Sequence, residues 1–265
     1  MFDLDGTVYR GEGLIPGADR VIATLRRSGR RVVFLSNKPL HARGTYAAKL
    51  TRLGIPTASE DVITSSMVLA RELAARHPGA HVYVLGEPPL VAELRRAGLA
   101  VVDDPEASGL RVDVVVASFD RTLTWEKLKR AHLALRQGAR LVATNPDRTC
   151  PVEEGDVPDA GAVIAALQAS SGKTPEWVAG KPSPLMIQAA LARLGVPPER
   201  AVLVGDRLET DIVMARQAGI ASVLVLTGVT DRKSGEQAPG GARPDYVVSS
   251  IAQLIAPGDD GLQGL

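Results

Sequence analysis

Aromatic side chains are scarce in this 265-residue chain: Phe, Trp and Tyr together supply 3% of it. So little ring surface weakens the case for a ligand held by stacking. Neither sign of charge dominates, with 31 Lys plus Arg against 30 Asp plus Glu, so no large basic footprint is available for nucleic acid. The one cysteine, Cys150, has no partner for an internal disulfide. The first residues lack the basic segment, apolar core and cleavage site of a secretory leader, and no uninterrupted apolar run approaches the roughly 20 residues that cross a bilayer. A reducing cytoplasm is the expected compartment, with neither membrane nor nucleic acid among the expected partners. What the chain does have is ordinary globular material. A hydrophobic share of 45% with 23% charge excludes a mainly disordered protein, and the length fits two modest domains, each with its own core.

Periodicity places the elements. Residues 18–28 carry Val21, Ile22 and Leu25 at helical spacing with Arg26 and Arg27 opposite, and Gly29 as a stop. Residues 31–35 read as a buried strand, and 40–53, opened by Pro39 and closed by Gly54, as the next helix. This βαβα order predicts a parallel sheet. A second alternating set begins near Gly79, with strands at 81–85, 99–102, 113–117 and 140–143 and helices at 90–97 and 125–136. From Pro184 the first pattern resumes: a helix to Leu194, strands at 201–204, 222–226 and 246–248, and a helix at 210–218. Residues 230–244 read as an exposed loop and 257–265 as a frayed tail.

Four polar clusters stand at predicted strand ends or before helices. The first is Asp3-Leu4-Asp5-Gly6-Thr7, whose two carboxylates, two residues apart, share one face of an extended chain. Taken alone, such a pair is common in solvated turns. Ser36-Asn37 follows the second strand, Gly180-Lys181-Pro182 precedes a helix, and Gly205-Asp206-Arg207-Leu208-Glu209-Thr210-Asp211 follows the apolar run 201–204. Ligands of open α/β sheets bind outside the carboxyl ends of the strands, so clusters far apart in sequence can converge there.

In this order the runs DLDGT, SN, GKP and GDRLETD resemble the haloacid dehalogenase-like phosphohydrolases, from the second residue to about residue 250. Within them the chain is similar to subfamily IIA, the branch of the N-acetylglucosamine operon phosphatase (NagD), p-nitrophenyl phosphatases and pyridoxal phosphate phosphatase. The local match is Ala143-Thr144-Asn145-Pro146-Asp147 followed by Pro158-Asp159-Ala160-Gly161-Ala162. The resemblance implies an α/β fold: a doubly wound, mostly parallel Rossmann-like core over residues 1–77 and 176–256, an inserted smaller α/β cap over 78–175, and a flexible tail at 257–265.

It also implies a chemistry, a magnesium-dependent phosphatase acting on a small phosphorylated metabolite. Asp3 would attack phosphorus to form an aspartyl phosphate; Asp5 would protonate the leaving alcohol and then activate water. Several aspartates converging on a phosphate require a compensating cation, expected to be magnesium on the Asp3 carboxylate, the Asp5 backbone carbonyl and the Asp206 carboxylate. Asp211 would orient a metal-bound water or another ligand; by itself it reads equally as a carboxylate favoured at a helix N-terminus. Ser36 would donate its hydroxyl to a phosphoryl oxygen beside the Asn37 backbone N–H, and Lys181 would set its charge against the phosphate and Asp3.

Two features depart from the family pattern. Lys38 and Pro39 follow Asn37 where relatives often carry another Asn or a small hydroxyl residue, and Lys38 is expected to face solvent. Only Met1 and Phe2 precede Asp3, so the first strand is unusually short or starts upstream. In the cap loop 145–150, Asn145 is expected to be structural, Asp147 or Arg148 to face the substrate, and Cys150 to be a packed thiol. A sugar phosphate is the first substrate expected, with pyridoxal phosphate, nucleoside monophosphates and glycolate or glycerol phosphates open beside it. A phosphomutase and a non-enzymatic receiver-like module carrying a phospho-aspartate are the alternatives. Dehalogenation leaves Asp5 without a use. A homodimer through the cap would suit the family.

Overall fold

The computed structural model describes residues 1–152 and 155–255, so the tail expected at 257–265 lies outside the described residues. The chain divides into two compact units. One comprises Met1–Ser36, Arg43–Ile63 and the residues from Lys181 on; the other comprises Asn37–Ala42 and Thr64–Gly180.

In the first unit, short apolar runs separated by amphipathic helices assemble a six-stranded sheet. Its order is Tyr246–Val248, Ala221–Val225, Val202–Gly205, Phe2–Asp3, Phe34–Ser36 and Val62–Thr64. Phe2–Asp3 is central: Phe2 pairs in parallel with Val204 on one side and Phe34 on the other. It is also only two residues long. The strand expected at 31–35 is regular only from Phe34, although Val32 and Val33 are buried and the Val33 carbonyl accepts from the Phe2 N–H at 3.0 Å. Phe2, Leu4, Phe34, Val204 and Val223 join Val21 and Ile22 of helix Ala18–Arg27 and Tyr46 and Leu50 of helix Arg43–Arg52 in one core. Each large apolar side chain buried there contributes about 1.5–3 kcal/mol against the entropy of ordering the chain.

Two elements of this unit differ from expectation. The helix expected at 210–218 opens as a wide π turn over Leu208–Ile212 before continuing as Val213–Gln217. The loop expected at 230–244 contains helix Arg232–Glu236, nucleated by Asp231, whose Oδ1 accepts from the Ser234 N–H at 2.7 Å.

The second unit is built on a parallel sheet ordered Ala100–Val101, His81–Leu85, Val114–Ala117 and Arg140–Ala143. Its alternation with helices Pro88–Arg96 and Trp125–Arg136 follows the hydrophobic pattern closely. Helices Ser65–Arg76 and Ala160–Ser171, and an antiparallel ribbon of Thr149–Val152 with Gly155–Pro158, are additional. The strap Asn37–Ala42 is held within this unit: Leu40 packs with Phe119 and Cys150, and the Asn37 carbonyl accepts from the Ser65 hydroxyl at 2.6 Å. Farther along, Ala179 N–H donates to Ala143 O at 3.0 Å and Gly180 N–H to Thr144 O at 2.7 Å, so the strand edge guides the chain toward Lys181. Glycine is required at 180, because a Cβ there would stand 2.5 Å from Asn37 Oδ1 and 2.7 Å from Thr144 O. Among the described residues no helix is long and apolar enough to cross a membrane.

Candidate active site

Parallel pairing aligns the carboxyl ends of three neighbouring strands, which deliver Asp3, Ser36 and, just past Gly205, Asp206 to one edge of the first unit. All three side chains are buried. The turn after Asp3 is tight: Gly6, at φ 87°, donates its N–H to Tyr9 O at 2.8 Å, and its carbonyl accepts from the Thr227 hydroxyl at 2.6 Å. Gly6 and Gly228 together form a cradle for Asp206. A Cβ on Gly6 would lie 2.7 Å from Asp206 Oδ2, and one on Gly228 would overlap that carboxylate. The same Oδ2 accepts from the Val229 N–H at 2.7 Å.

Asp211, fully buried, belongs to the π turn. Its Oδ2 accepts from the Arg207 N–H at 3.3 Å, and its Oδ1 accepts from Lys181 Nζ at 2.7 Å. Lys181 also donates to Asp3 Oδ1. Lys181 thus bridges two aspartates, and one oxygen from each of Asp3, Asp206 and Asp211 lies within 4.8 Å of the others. Asp5 is half-buried at a bridge to Tyr9, and its carboxylate lies outside that trio.

The charge balance of this cluster is uneven. Burial would lower the Lys181 ammonium, but Asp211 and Asp3 more than reverse that and hold it above its ordinary value. Burial pushes the Asp3 carboxyl well above the usual range; Lys181 opposes the shift, while Asp211 and Asp206 add to it. Asp206 is pushed up to about 6, chiefly by burial and then by the charge of Asp211. Three carboxylates against one ammonium leave the site short of positive charge, and every donor is a hard oxygen. That donor set fits a divalent cation such as magnesium, with Asp3 and Asp206 the better placed ligands because both Asp211 oxygens are engaged, by Lys181 and the Arg207 N–H, whereas Lys181 takes one Asp3 oxygen and the Val229 N–H one Asp206 oxygen.

The remaining residues of interest lie in the second unit. Asn37 Nδ2 donates to Asp147 Oδ2 at 2.9 Å. Asn145 is fully buried and hydrogen-bonded on both ends of its amide, to Thr144, Asp147 and Asp159. Arg148 is exposed, and Cys150 packs against Leu40 and Phe119. Lys38, expected to face solvent, is half-buried, and its charge bears on the Asp159 carboxyl.

Sequence reading gave no role to three features of these sites: Asp159, noted only within the family match at 158–162, the glycine cradle around Asp206, and the loop Thr227–Val229. Only Asp159 left a local signal, an aspartate directly before the Ala-rich run that becomes helix Ala160–Ser171.

Comparison with known proteins agrees with this fold. Residues 1–100 match the family described as haloacid dehalogenase-like hydrolase, and residues 178–254 match the HAD-hydrolase-like family. The sugar-phosphatase AraL of Bacillus subtilis (strain 168) is 41% identical over 262 residues, covering 99% of this chain and 93% of the relative. The crystal structure of 4-nitrophenylphosphatase from Thermotoga maritima superposes with a TM-score of 0.88 at 39% identity, covering 96% of this chain and 94% of the other. That of glycerol phosphate phosphatase from Mycobacterium tuberculosis in complex with magnesium superposes with a TM-score of 0.86 at 38% identity, covering 97% of this chain and 77% of the other. With the likeness running through nearly the whole chain, the protein belongs to the haloacid dehalogenase-like hydrolases, subfamily IIA, the NagD-like branch of phosphoric monoester hydrolases.

Proposed function

We propose that this hydrolase releases phosphate from a small phosphorylated metabolite, a sugar phosphate first, through an aspartyl phosphate on Asp3 and with magnesium as its cofactor. The observation that carries the reading is the buried pairing of Lys181 with both Asp3 and Asp211, with Asp206 alongside, at the carboxyl ends of the sheet. An Asp3 oxygen attacks phosphorus, the bond from phosphorus to the ester oxygen breaks, and Asp5 gives its proton to the leaving alcohol. Asp5 then takes a proton from water, whose oxygen attacks the same phosphorus. The bond to Asp3 breaks and inorganic phosphate departs.

Lys181 keeps Asp3 oriented and supplies fixed positive charge, and the Ser36 hydroxyl and Asn37 backbone N–H hold phosphoryl oxygens. Asp3, the Asp5 carbonyl and Asp206 would hold magnesium, with Asp211 behind them. Bound there, the ion supplies charge that offsets the carboxylates and the phosphoryl group.

The second unit serves in this reading as the cap, with the exposed Arg148 choosing the leaving group. A cytoplasmic location and a homodimer through that unit belong to the same reading. The preference for sugar phosphates draws on the relative named a sugar phosphatase; glycerol phosphate follows from the neighbour named for it. A panel of phosphorylated metabolites, assayed for free phosphate with and without magnesium, tests the proposal. Magnesium-dependent release, fastest on sugar phosphates and abolished by Asp3→Asn, is expected. Silence across the panel, or turnover by purified Asp3→Asn near that of wild type, would overturn it.

A further inference from the structure

Within the second unit, Asp147 sits where two amides meet. Its Oδ2 accepts from Asn37 Nδ2 and from Asn145 Nδ2, each at 2.9 Å. Asn145 is itself immobilised. Its amide also donates to Asp159 Oδ1 at 3.1 Å, its Oδ1 accepts from the Thr144 hydroxyl at 2.7 Å, and none of it reaches solvent. The backbone of the loop is fixed as well. Gly161 N–H donates to Asp147 O at 2.8 Å, and Asp159 N–H donates to Arg148 O at 3.0 Å. The start of helix Ala160–Ser171 presses so closely on the loop that a Cβ on Gly161 would stand 2.8 Å from Asp147 O and 2.9 Å from Pro146 O.

The carboxylate of Asp147 is therefore held from behind by buried groups, and what it grips in turn is Asn37. Asn37 directly follows Ser36, and its own carbonyl is pinned by Ser65. Arg148, one residue on, is exposed.

We infer that Asp147 is a positioning residue: it fixes Asn37, and with it the backbone turn that meets the phosphoryl group, and leaves selection of the leaving group to Arg148. The inference rests on the phosphatase reading above and gives Asp147 a task common to all substrates, in place of the substrate-facing one the family resemblance implies. Inorganic phosphate separates the two roles, because it carries no leaving group.

The test compares wild type with Asp147→Ala, Asp147→Asn, Asn37→Ala and Arg148→Ala. It measures kcat/KM for two sugar phosphates and an aryl phosphate, and the Kd of inorganic phosphate by calorimetry in magnesium buffer. Losing a hydrogen-bonded charge makes Asp147→Ala lower kcat/KM by about ten- to a hundredfold, equally on all three esters, with phosphate Kd rising in step. Asp147→Asn, which keeps an acceptor oxygen, recovers most of the loss. Asn37→Ala matches Asp147→Ala, and the double variant falls no further than either. Arg148→Ala reorders the esters and leaves phosphate Kd unchanged. A reordering of esters by Asp147→Ala at wild-type phosphate Kd overturns the inference, as does the absence of any effect. If Asp147→Ala fails to fold, Asp147→Asn and Asn37→Ala decide by the same readouts. Wild type inert on every ester would sink the phosphatase reading, and phosphate Kd would still judge Asp147.

Discussion

Aspartates that repel one another in a buried space need a reason to be there, and at this edge of the sheet each has a different one. Asp206 rests in a cradle of Gly6 and Gly228 and points one oxygen at the Val229 N–H. Asp211 is spoken for by Lys181 and the Arg207 N–H. Asp206→Ala should therefore all but remove magnesium-dependent turnover, whereas Asp211→Ala should weaken magnesium affinity by about 10- to 100-fold, as loss of a supporting residue does. Metal titrations of phosphate release measure the order, and equal effects would reject it. Gly228→Ala should act like a mild Asp206 variant, because its Cβ takes the space of that carboxylate; a variant with wild-type magnesium affinity would show that the cradle yields.

Asp159 offers a test through pH. Burial holds its carboxyl above the usual range, opposed by the Ala160 N–H and the Asn145 amide. A carboxyl raised in this way contributes most to stability below the ordinary carboxylate range, and the contribution falls away as pH rises through the folded-state value. Asp159→Asn keeps an acceptor oxygen and an equivalent helix cap, so its stability relative to wild type should improve as pH rises across that window. Denaturant unfolding at acid and neutral pH measures the trend, and a wild-type advantage that grows with pH would contradict it. Asp3, Lys181 and Asp206 stood out as candidates because their types and order suggest chemistry, and the fold brings the three together. The glycines that cradle Asp206 did not stand out, since closeness between residues 6, 206 and 228 exists only after folding.

At the scale of elements, hydrophobic periodicity was informative wherever a helix or strand buries one face against its own sheet. Strands His81–Leu85 and Arg140–Ala143 and helix Trp125–Arg136 stand where their patterns place them. The Thr124 hydroxyl caps the last of these by accepting from the Lys127 N–H at 3.2 Å. Thr124→Ala should cost about 1 kcal/mol and Thr124→Asn should restore it, measured by denaturant unfolding. Equal stability of the two variants would dismiss the cap. Periodicity failed where another element sets the geometry. The strand expected at 31–35 runs instead over Phe34–Ser36, in register with the two residues Phe2 and Asp3. The π turn at Leu208–Ile212 lets Asp211 meet both Lys181 and its own Arg207 N–H, a geometry that repeat spacing does not encode. Helix Ala160–Ser171 combines mostly small and apolar residues without a strong polar face, so its period is faint.

For the molecule as a whole, a cluster with more buried carboxylates than cations is stabilised by anything that binds the folded form and brings positive charge. Magnesium at a hundred times its Kd should add about 2.7 kcal/mol. A rise in Tm with magnesium in wild type, absent in Asp206→Ala, would be read by differential scanning calorimetry; a rise of the same size in both would locate the ion elsewhere. The order of the polar clusters along the chain, and their recurrence after apolar runs, was enough to determine the α/β class and the family and to single out candidate site residues, because strand-end chemistry and hydrophobic alternation are both written locally. Only the tertiary structure decided that Asn37 joins the second unit and grips Asp147, that the Lys38 charge bears on the Asp159 carboxyl, and that Lys181 bridges Asp3 and Asp211. Each of these joins residues from about 30 to nearly 180 positions apart, and such distances close only when burial of the cores pulls the chain together.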